Sequence, residues 1–292
     1  MNNQAIQYRI YPSLLNSFQR LLDAEIDAED FSNIDSETGD YRRLPDDIAT
    51  EREQELLDLI NRVKKEPIEI ADRGTAFNEI IDCIVLNEPC KREDITIRHI
   101  KEEHETRLKL VCDGIDNIGD KYTEYNIDTP ESIEAKINGF TFLFDVHTCK
   151  ETAKYFANTI PQHLCQATLE TDYGTVQLYG YADYIFHDKV VDLKTCNRYD
   201  FGKYASNWQK DVYPYCLIES GDMSECSSFE FYIVQMKGGT NRTHILSGTD
   251  YREVYTYNHE QSKVRLKQIC ERLIEWLNAH RSQITNDKIF NN

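Results

Sequence analysis

Three charged residues lie inside two apolar runs in the middle of the chain. The runs are "TVQLYGYADYIF" and "KVVDLKT", and the charged residues in their interiors are Asp183, Asp192 and Lys194. Alternate residues of a strand share a face, so Asp192 and Lys194 are expected on the same face of one strand. A hairpin that turns at the intervening "HD" pairs residues whose numbers sum to about 375, which places Asp183 opposite Asp192 to within a residue.

Two facing carboxylates and an ammonium group indicate a particular chemistry. Adjacent carboxylates repel each other, so one stays protonated or a cation holds both. Oxygen ligands with open positions suit Mg²⁺ or Mn²⁺, and a nearby ammonium group can orient water or stabilise charge on a phosphate. These groups together are those needed for phosphodiester hydrolysis. A surface hairpin with a cross-strand Asp–Lys pair is the alternative, and the apolar neighbours Val190, Val191 and Leu193 weigh against it.

The elements around these residues alternate between helical and extended patterns. Apolar spacing predicts helices at 13–23, 50–65 (with Thr50 as the cap), 73–89, 146–158, 203–219 and 259–283, and strands at 163–171, 175–186, 189–195, 229–237 and 253–257. The acidic segment 27–48 reads as a loop or a loosely held arm. This order predicts an α/β protein, with a mixed sheet flanked by helices.

The quoted residues resemble the core of the PD-(D/E)xK nuclease superfamily, in its RecB-like branch with the phage alkaline exonucleases. That branch carries a Gly three residues before an Asp, followed by D/E-x-K on the next strand, and Gly180, Asp183, Asp192 and Lys194 fit this pattern. The resemblance covers roughly residues 73–237. It implies a restriction-endonuclease-like core, bound Mg²⁺ or Mn²⁺, and the backbone carbonyl of Leu193 as a further metal ligand.

The next helix extends the resemblance through a Q-x-x-x-Y motif, represented here by Gln209 and Tyr213. The i, i+4 spacing places both on one helix face. By resemblance this helix packs beside the site and helps to position DNA. Basic and aromatic residues nearby are candidates for DNA contacts, namely Arg198, Lys203, Trp208 and Lys210, although packing of the helix on the sheet explains the aromatic ones equally well.

The first motif of the branch, G-x-x-x-H, is altered in this chain. Gly74 is present, but Asn78 occupies the position of the metal-binding His. Either Asn78 offers its side-chain oxygen, or the first ligand has moved, or activity is weakened. Asp82, one turn further along the same helix, and Glu170, on the strand before Asp183, are the other candidates for that ligand.

Net charge, cysteine content and hydropathy argue against several classes of protein and cofactor. The net charge of −18 argues against a protein that coats nucleic acid nonspecifically, although residues 189–210 are locally basic. The nine cysteines show no C-x-x-C spacing, which favours reduced thiols. Some relatives bind an iron–sulfur cluster, but no Cys precedes residue 83 and Cys216, Cys226 and Cys270 are widely spaced, so no cluster is expected. No membrane span or secretory signal is expected either, which favours the cytoplasm, that of the host if the chain is phage-encoded.

The sequence therefore predicts a Mg²⁺-dependent DNA nuclease. By resemblance it is an exonuclease of recombination, repair or phage DNA processing, acting on linear ends or single strands. The expected organisation is an N-terminal helical and acidic extension at 1–70 and a nuclease-like domain at 71–292. The alternative is a catalytically weak or inactive protein of the same fold that binds DNA or regulates a partner. A homo-oligomer and a partner recombination protein both stay open.

Overall fold

The computed structural model describes residues 6–30, 33–36, 38–101, 103–111, 121–238 and 244–290. The strands are β1 (Ile6–Ile10), β2 (Ile95–Ile100), β3 (Glu103–Val111), β4 (Lys121–Thr129), β5 (Ser132–Ile137), β6 (Phe140–Asp145), β7 (Ile160–Thr171), β8 (Gly174–Ile185), β9 (Lys189–Cys196), β10 (Ser228–Lys237) and β11 (Ile245–Thr256). The helices are α1 (Pro12–Leu22), α2 (Ala24–Ala28), α3 (Pro45–Ile60), α4 (Glu69–Leu86), α5 (Val146–Tyr155), α6 (Gln209–Ser220) and α7 (His259–Ala279), followed by 3₁₀ turns at Arg281–Gln283 and Asp287–Phe290.

Nine of the described strands form one mixed sheet. Their order is β1, β8, β9, β10, β11, β6, β5 and β2, and β7 also pairs with β8, while β3 and β4 form a separate antiparallel ribbon. The β1–β8, β9–β10 and β11–β6 pairs are parallel and the other pairs are antiparallel. Helices flank this sheet, so the predicted class, α/β with a mixed sheet flanked by helices, is confirmed.

Helices cover both faces of the middle of the sheet. On one face α1, α3, α6 and α7 pack on a core that includes Val190 and Phe231. On the other face α4 and α5 pack on a core that includes Val191, Leu193 and Tyr184. Successive residues of β9 therefore enter opposite cores, which explains why its sequence reads as a nearly continuous apolar run.

The N-terminal segment packs on the same core as the rest of the chain. β1 pairs in parallel with β8, and Phe18 of α1 and Leu56 of α3 are buried with residues of α6 and α7. The boundary predicted at residue 70 stays a prediction. The segment 27–48 is not a loosely held arm throughout, because Ala28 and Ile48 are buried.

Three predicted helix starts are wrong by several residues. α4 begins at Glu69 and not at residue 73. α3 begins at Pro45 and not after a Thr50 cap, because proline fits the first turn of a helix, where its missing N–H has no partner to lose. α6 begins at Gln209, and residues 201–206 form turns instead of the helix expected from residue 203. Within the described residues, no helix is both long enough and apolar enough to cross a membrane.

Candidate functional site

The candidate site lies where β8 and β9 separate. The two strands pair only at Tyr184–Val191 and Ile185–Val190, which confirms the predicted sum of 375. Asp183 and Asp192 have the same sum and follow directly after the last pair, where the strands part. Before this point β8 pairs with β1 and β7, whereas β9 pairs with β10. The strands thus form a fork. The carboxylate of Asp183 enters it, where its Oδ2 accepts a hydrogen bond of 2.9 Å from the backbone N–H of Leu193.

Asp192 lies deeper, with 1% of its surface exposed. Its Oδ2 is 2.6 Å from Nζ of Lys194, an ion pair without hydrogen-bond alignment. Nε2 of Gln209 donates to its Oδ1, while Oε1 of Gln209 accepts from Nζ of Lys194 at 2.8 Å. The first residue of α6 therefore fixes the carboxylate and the ammonium group relative to each other.

The charges in the fork are unbalanced. Two ionised carboxylates against one ammonium group leave a net negative charge in a buried place. Burial, followed by repulsion from Asp192, raises the pKa of Asp183 well above its ordinary value, although Lys194 opposes the change. Burial also raises the pKa of Asp192, again opposed by Lys194. This electrostatic cost would be relieved by either a proton or a cation.

Asn78 reaches the same place from α4. Its Nδ2 lies 3.4 Å from the carbonyl oxygen of Leu193, and its buried Oδ1 has no hydrogen-bond partner among the described residues. The carbonyl of Leu193 points to the same strand edge as its N–H, which is the edge that opens towards Asp183. Both oxygens are thus available to a cation. Asn78, Leu193 and Lys194 line a cavity of about 480 Å³ at this point.

Two glycines permit the close packing around the fork. A Cβ on Gly74 would lie 2.8 Å from Oγ1 of Thr195, next to the cavity. A Cβ on Gly180 would lie 2.8 Å from Cε1 of Tyr213. The hydroxyl of Tyr213 accepts from Nε2 of Gln209 at 3.3 Å, so the Q-x-x-x-Y pair lies on one face of α6 as its spacing predicts.

The structure does not bring Glu170 to the fork. Glu170 lies opposite Thr175 in the β7–β8 register, eight residues before Asp183, which is roughly 25 Å along β8. Its carboxylate accepts hydrogen bonds from Oγ1 of Thr175 at 2.9 and 3.0 Å. Glu170 is therefore not a ligand of the same ion as Asp183, and the expectation based on its strand alone is wrong.

Asp82 is near the fork but is bound elsewhere. Its Oδ1 accepts a hydrogen bond of 2.6 Å from the hydroxyl of Tyr184. Burial raises the pKa of Asp82 to about 6, against the lowering effect of hydrogen bonds from Tyr184 and Gln162. Of the two candidates on α4, only Asn78 contacts the backbone of the fork.

The predicted DNA contacts are mostly engaged within the protein. The ammonium group of Lys210 donates to the carbonyls of Ala205 and Asn207, and burial lowers its pKa. Trp208 is partly buried, and its backbone N–H donates to Asn16.

The two remaining candidates are more exposed. Arg198 forms an exposed ion pair with Asp200, and Nζ of Lys203 donates to the carbonyl of Arg198. Both side chains therefore bind residues 198–200. Among the described residues, no hydrogen bond or ion pair joins either of them to Asp192 or Lys194.

A second group that could hold a metal went unnoticed in the sequence. Glu79, Cys83 and Cys90 place one ligand atom each within 4.8 Å of the others. Glu79 and Cys83 are four apart on α4, and Cys90 returns to them after the left-handed Asn87 that ends the helix. Burial, with repulsion from Glu79, raises the pKa of Cys83 to about 12, so a metal would have to displace its proton. A Cys-x₆-Cys spacing across a helix end was the available signal.

Comparisons with known proteins add little to this geometry. No protein-family model matches the sequence, and no curated protein does. Among the solved structures that match is one titled "Crystal structure of SSO0001", with a TM-score of 0.28 and 14% sequence identity. The match covers 44% of this chain and 55% of that chain. A similarity this weak carries no conclusion about fold or function.

Proposed function

We propose that this protein is a divalent-metal-dependent DNA nuclease whose site is the fork between β8 and β9. The observation that carries the proposal is the convergence of Asp183, Asp192 and Lys194 with two further oxygens, the unpaired Oδ1 of Asn78 and the carbonyl of Leu193. All the candidate ligands are oxygens, which suits Mg²⁺ or Mn²⁺ better than softer metals. DNA as the substrate and an exonuclease mode rest on the resemblance of the motifs.

Each residue has a distinct task in this proposal. A bound Mg²⁺ would supply Lewis acidity, which lowers the pKa of a water molecule that it holds. Asp183 and Asp192 provide the negative charge that holds it, and the backbone N–H of Leu193 keeps the Asp183 carboxylate in the fork. Gln209 orients both Asp192 and Lys194.

Lys194 is the group placed to act on the phosphate. One quarter of its side chain is exposed and it lines the open cavity, whereas Asp192 is almost completely buried. In this position its ammonium group can orient the attacking water and stabilise the negative charge that grows on the phosphate oxygens. The buried surroundings strengthen that interaction relative to bulk water.

The test is cleavage of labelled linear, circular and single-stranded DNA with Mg²⁺ or Mn²⁺. Asp192→Asn should abolish cleavage, and Lys194→Met should lower its rate by about 10²–10³-fold, the usual effect of one charge-stabilising group. Lys154→Met is the control, because Lys154 is exposed on α5, away from the fork. Intact circular DNA beside degraded linear DNA would support an exonuclease.

Two results would contradict the proposal. Cleavage that survives both substitutions would show that the fork is not the site. DNA binding without cleavage under any metal would favour the catalytically inactive alternative, for which Asn78 in place of His is the specific reason.

A further inference from the structure

A cleft lined by tyrosines lies beside the candidate site. Its volume is about 740 Å³, which is within the range of roughly 300–1,000 Å³ typical of ligand pockets. It is bordered by the start of α1, the middle of β8, the end of α3 and the segment 61–68 that joins α3 to α4. We call it the tyrosine cleft, after Tyr11, Tyr179, Tyr181 and Tyr213 in its lining.

Three of these rings are placed to contact a ligand. Tyr11 and Tyr179 form a tilted pair with ring centroids 5.6 Å apart, and both are only partly buried. Tyr181 is 58% exposed, although it is a large hydrophobic residue in the middle of a strand. Packing of the core therefore does not account for Tyr181. An exposed aromatic face offers a stacking surface for a planar ligand.

The rim of the tyrosine cleft is positively charged, in contrast with the net charge of −18 of the whole chain. Arg62 and Lys65 line it, and both are exposed. Neither has an ion-pair partner among the residues that the structure describes. Asp58 is the single acidic residue in the lining. A small pocket that adjoins the cleft at Tyr11, Arg62 and Tyr179 adds two further cations, Arg9 and Lys288.

The tyrosine cleft is connected to the candidate site in two ways. At its base lies Tyr213, which is hydrogen-bonded to Gln209, the residue that binds both Asp192 and Lys194. Along its rim, the segment 61–68 continues from Lys65 to Ile68, which lines the cavity at the fork. Three residues span at most about 10 Å, so a chain of a few nucleotides can reach from one cavity to the other.

We propose that the tyrosine cleft binds the unpaired end of a nucleic acid strand that leads to the fork. This inference rests on the proposed nuclease function. Arg62 and Lys65 pair with backbone phosphates, and the tyrosines stack on bases. A base in a duplex already has its faces covered by its neighbours, so stacking on tyrosine selects single strands. The proposal thus assigns a preference for frayed or single-stranded ends.

The test is the affinity of the full chain for a short fluorescent oligothymidylate, measured by anisotropy in EDTA so that cleavage does not interfere. A hairpin duplex of the same strand length serves as the second ligand. Tyr181→Ala should weaken single-strand binding roughly 5- to 150-fold, the effect of losing one stacked base. Arg62→Gln should lower the slope of log affinity against log salt by about 0.7, the value for one phosphate contact on a single strand. Lys154→Gln, whose exposed cation lies on α5, should change neither quantity.

The outcomes separate this inference from the function on which it rests. If the wild type binds neither ligand and cleaves no DNA, the proposed function itself fails. If it cleaves DNA but Tyr181→Ala and Arg62→Gln bind as the wild type does, only the tyrosine cleft is refuted. Equal affinity for the duplex and the single strand would overturn the assigned preference. Circular dichroism identical to that of the wild type shows that each variant is folded.

Discussion

The substitution Asp82→Asn tests which group on α4 serves the fork. Asp82 is 8% exposed, and burial raises its pKa to about 6. Asn keeps the oxygen that accepts the hydrogen bond from Tyr184, but it does not titrate. The difference in stability between Asp82→Asn and the wild type should therefore change with pH.

The sign follows from the direction of the change in pKa. The folded chain binds a proton at Asp82 more tightly than the unfolded chain does, so protonated Asp82 favours folding. This contribution is complete below the unfolded pKa and is lost as the pH rises through about 6. The rise in the pKa of Asp82 from 3.8 to about 6 on folding corresponds to about 3 kcal/mol in the free energy of unfolding. Relative to the wild type, Asp82→Asn should therefore gain up to about 3 kcal/mol between about pH 4 and pH 8.

Urea unfolding at several pH values without metal measures this gain. Tyr184→Phe is the companion variant, because it removes a hydrogen bond that lowers the pKa of Asp82 and should make the loss of stability with pH steeper. A constant difference between Asp82→Asn and wild type at all pH values would refute the reasoning. Mn²⁺ should stabilise Asp82→Asn as much as it stabilises the wild type. A smaller stabilisation of the variant would indicate that Asp82, and not Asn78, is the metal ligand on α4.

Two further predictions concern the fork. Asp183→Asn should raise the melting temperature without metal, because it removes a repelling charge, and should abolish the stabilisation by Mn²⁺, about 2.7 kcal/mol in the wild type at a metal concentration 100 times Kd. A variant that still gains this stability would show that Asp183 is not a ligand. Gly180→Ala should cost about 1–3 kcal/mol in urea unfolding, because its Cβ would overlap Tyr213. Gly238→Ala is its control, since open space surrounds that position; equal effects would contradict the packing argument.

The sequence was sufficient for the local geometry of the fork. A short turn and alternating apolar residues determine the register of a hairpin, and the sum of 375 is confirmed at Tyr184–Val191. Helical spacing likewise placed Gln209 and Tyr213 on one face. Both inferences involve residues that are close in the chain, where few arrangements compete.

The sequence was insufficient where distant segments meet. β1 pairs with β8 across 168 residues, as between Ile10 and Leu178, and nothing in the five residues "IQYRI" indicates which strand they pair with. The error at Glu170 has the same origin. Glu170 precedes Asp183 by only 13 residues in the sequence. Because β7 and β8 are antiparallel, however, Glu170 lies opposite Thr175 at the start of β8, far from Asp183 near its end. The tyrosine cleft was missed because its walls come from α1, α3 and β8.

Burial of charge in "VVDLKT" is explained by what each charged group finds in the fork. Lys194 forms an ion pair with Asp192, Gln209 donates a hydrogen bond to one oxygen of Asp192, and the N–H of Leu193 donates to one oxygen of Asp183. One negative charge is left over, because two carboxylates face one ammonium group. Replacing such a group by apolar residues usually costs little stability, so a chain that needed only a stable hairpin would gain nothing from it. Burial and repulsion from Asp192 raise the pKa of Asp183, so the fork favours binding of a proton at the same carboxylate that would bind a cation. Proton and metal should therefore compete for the fork, and affinity for Mn²⁺ should rise with pH.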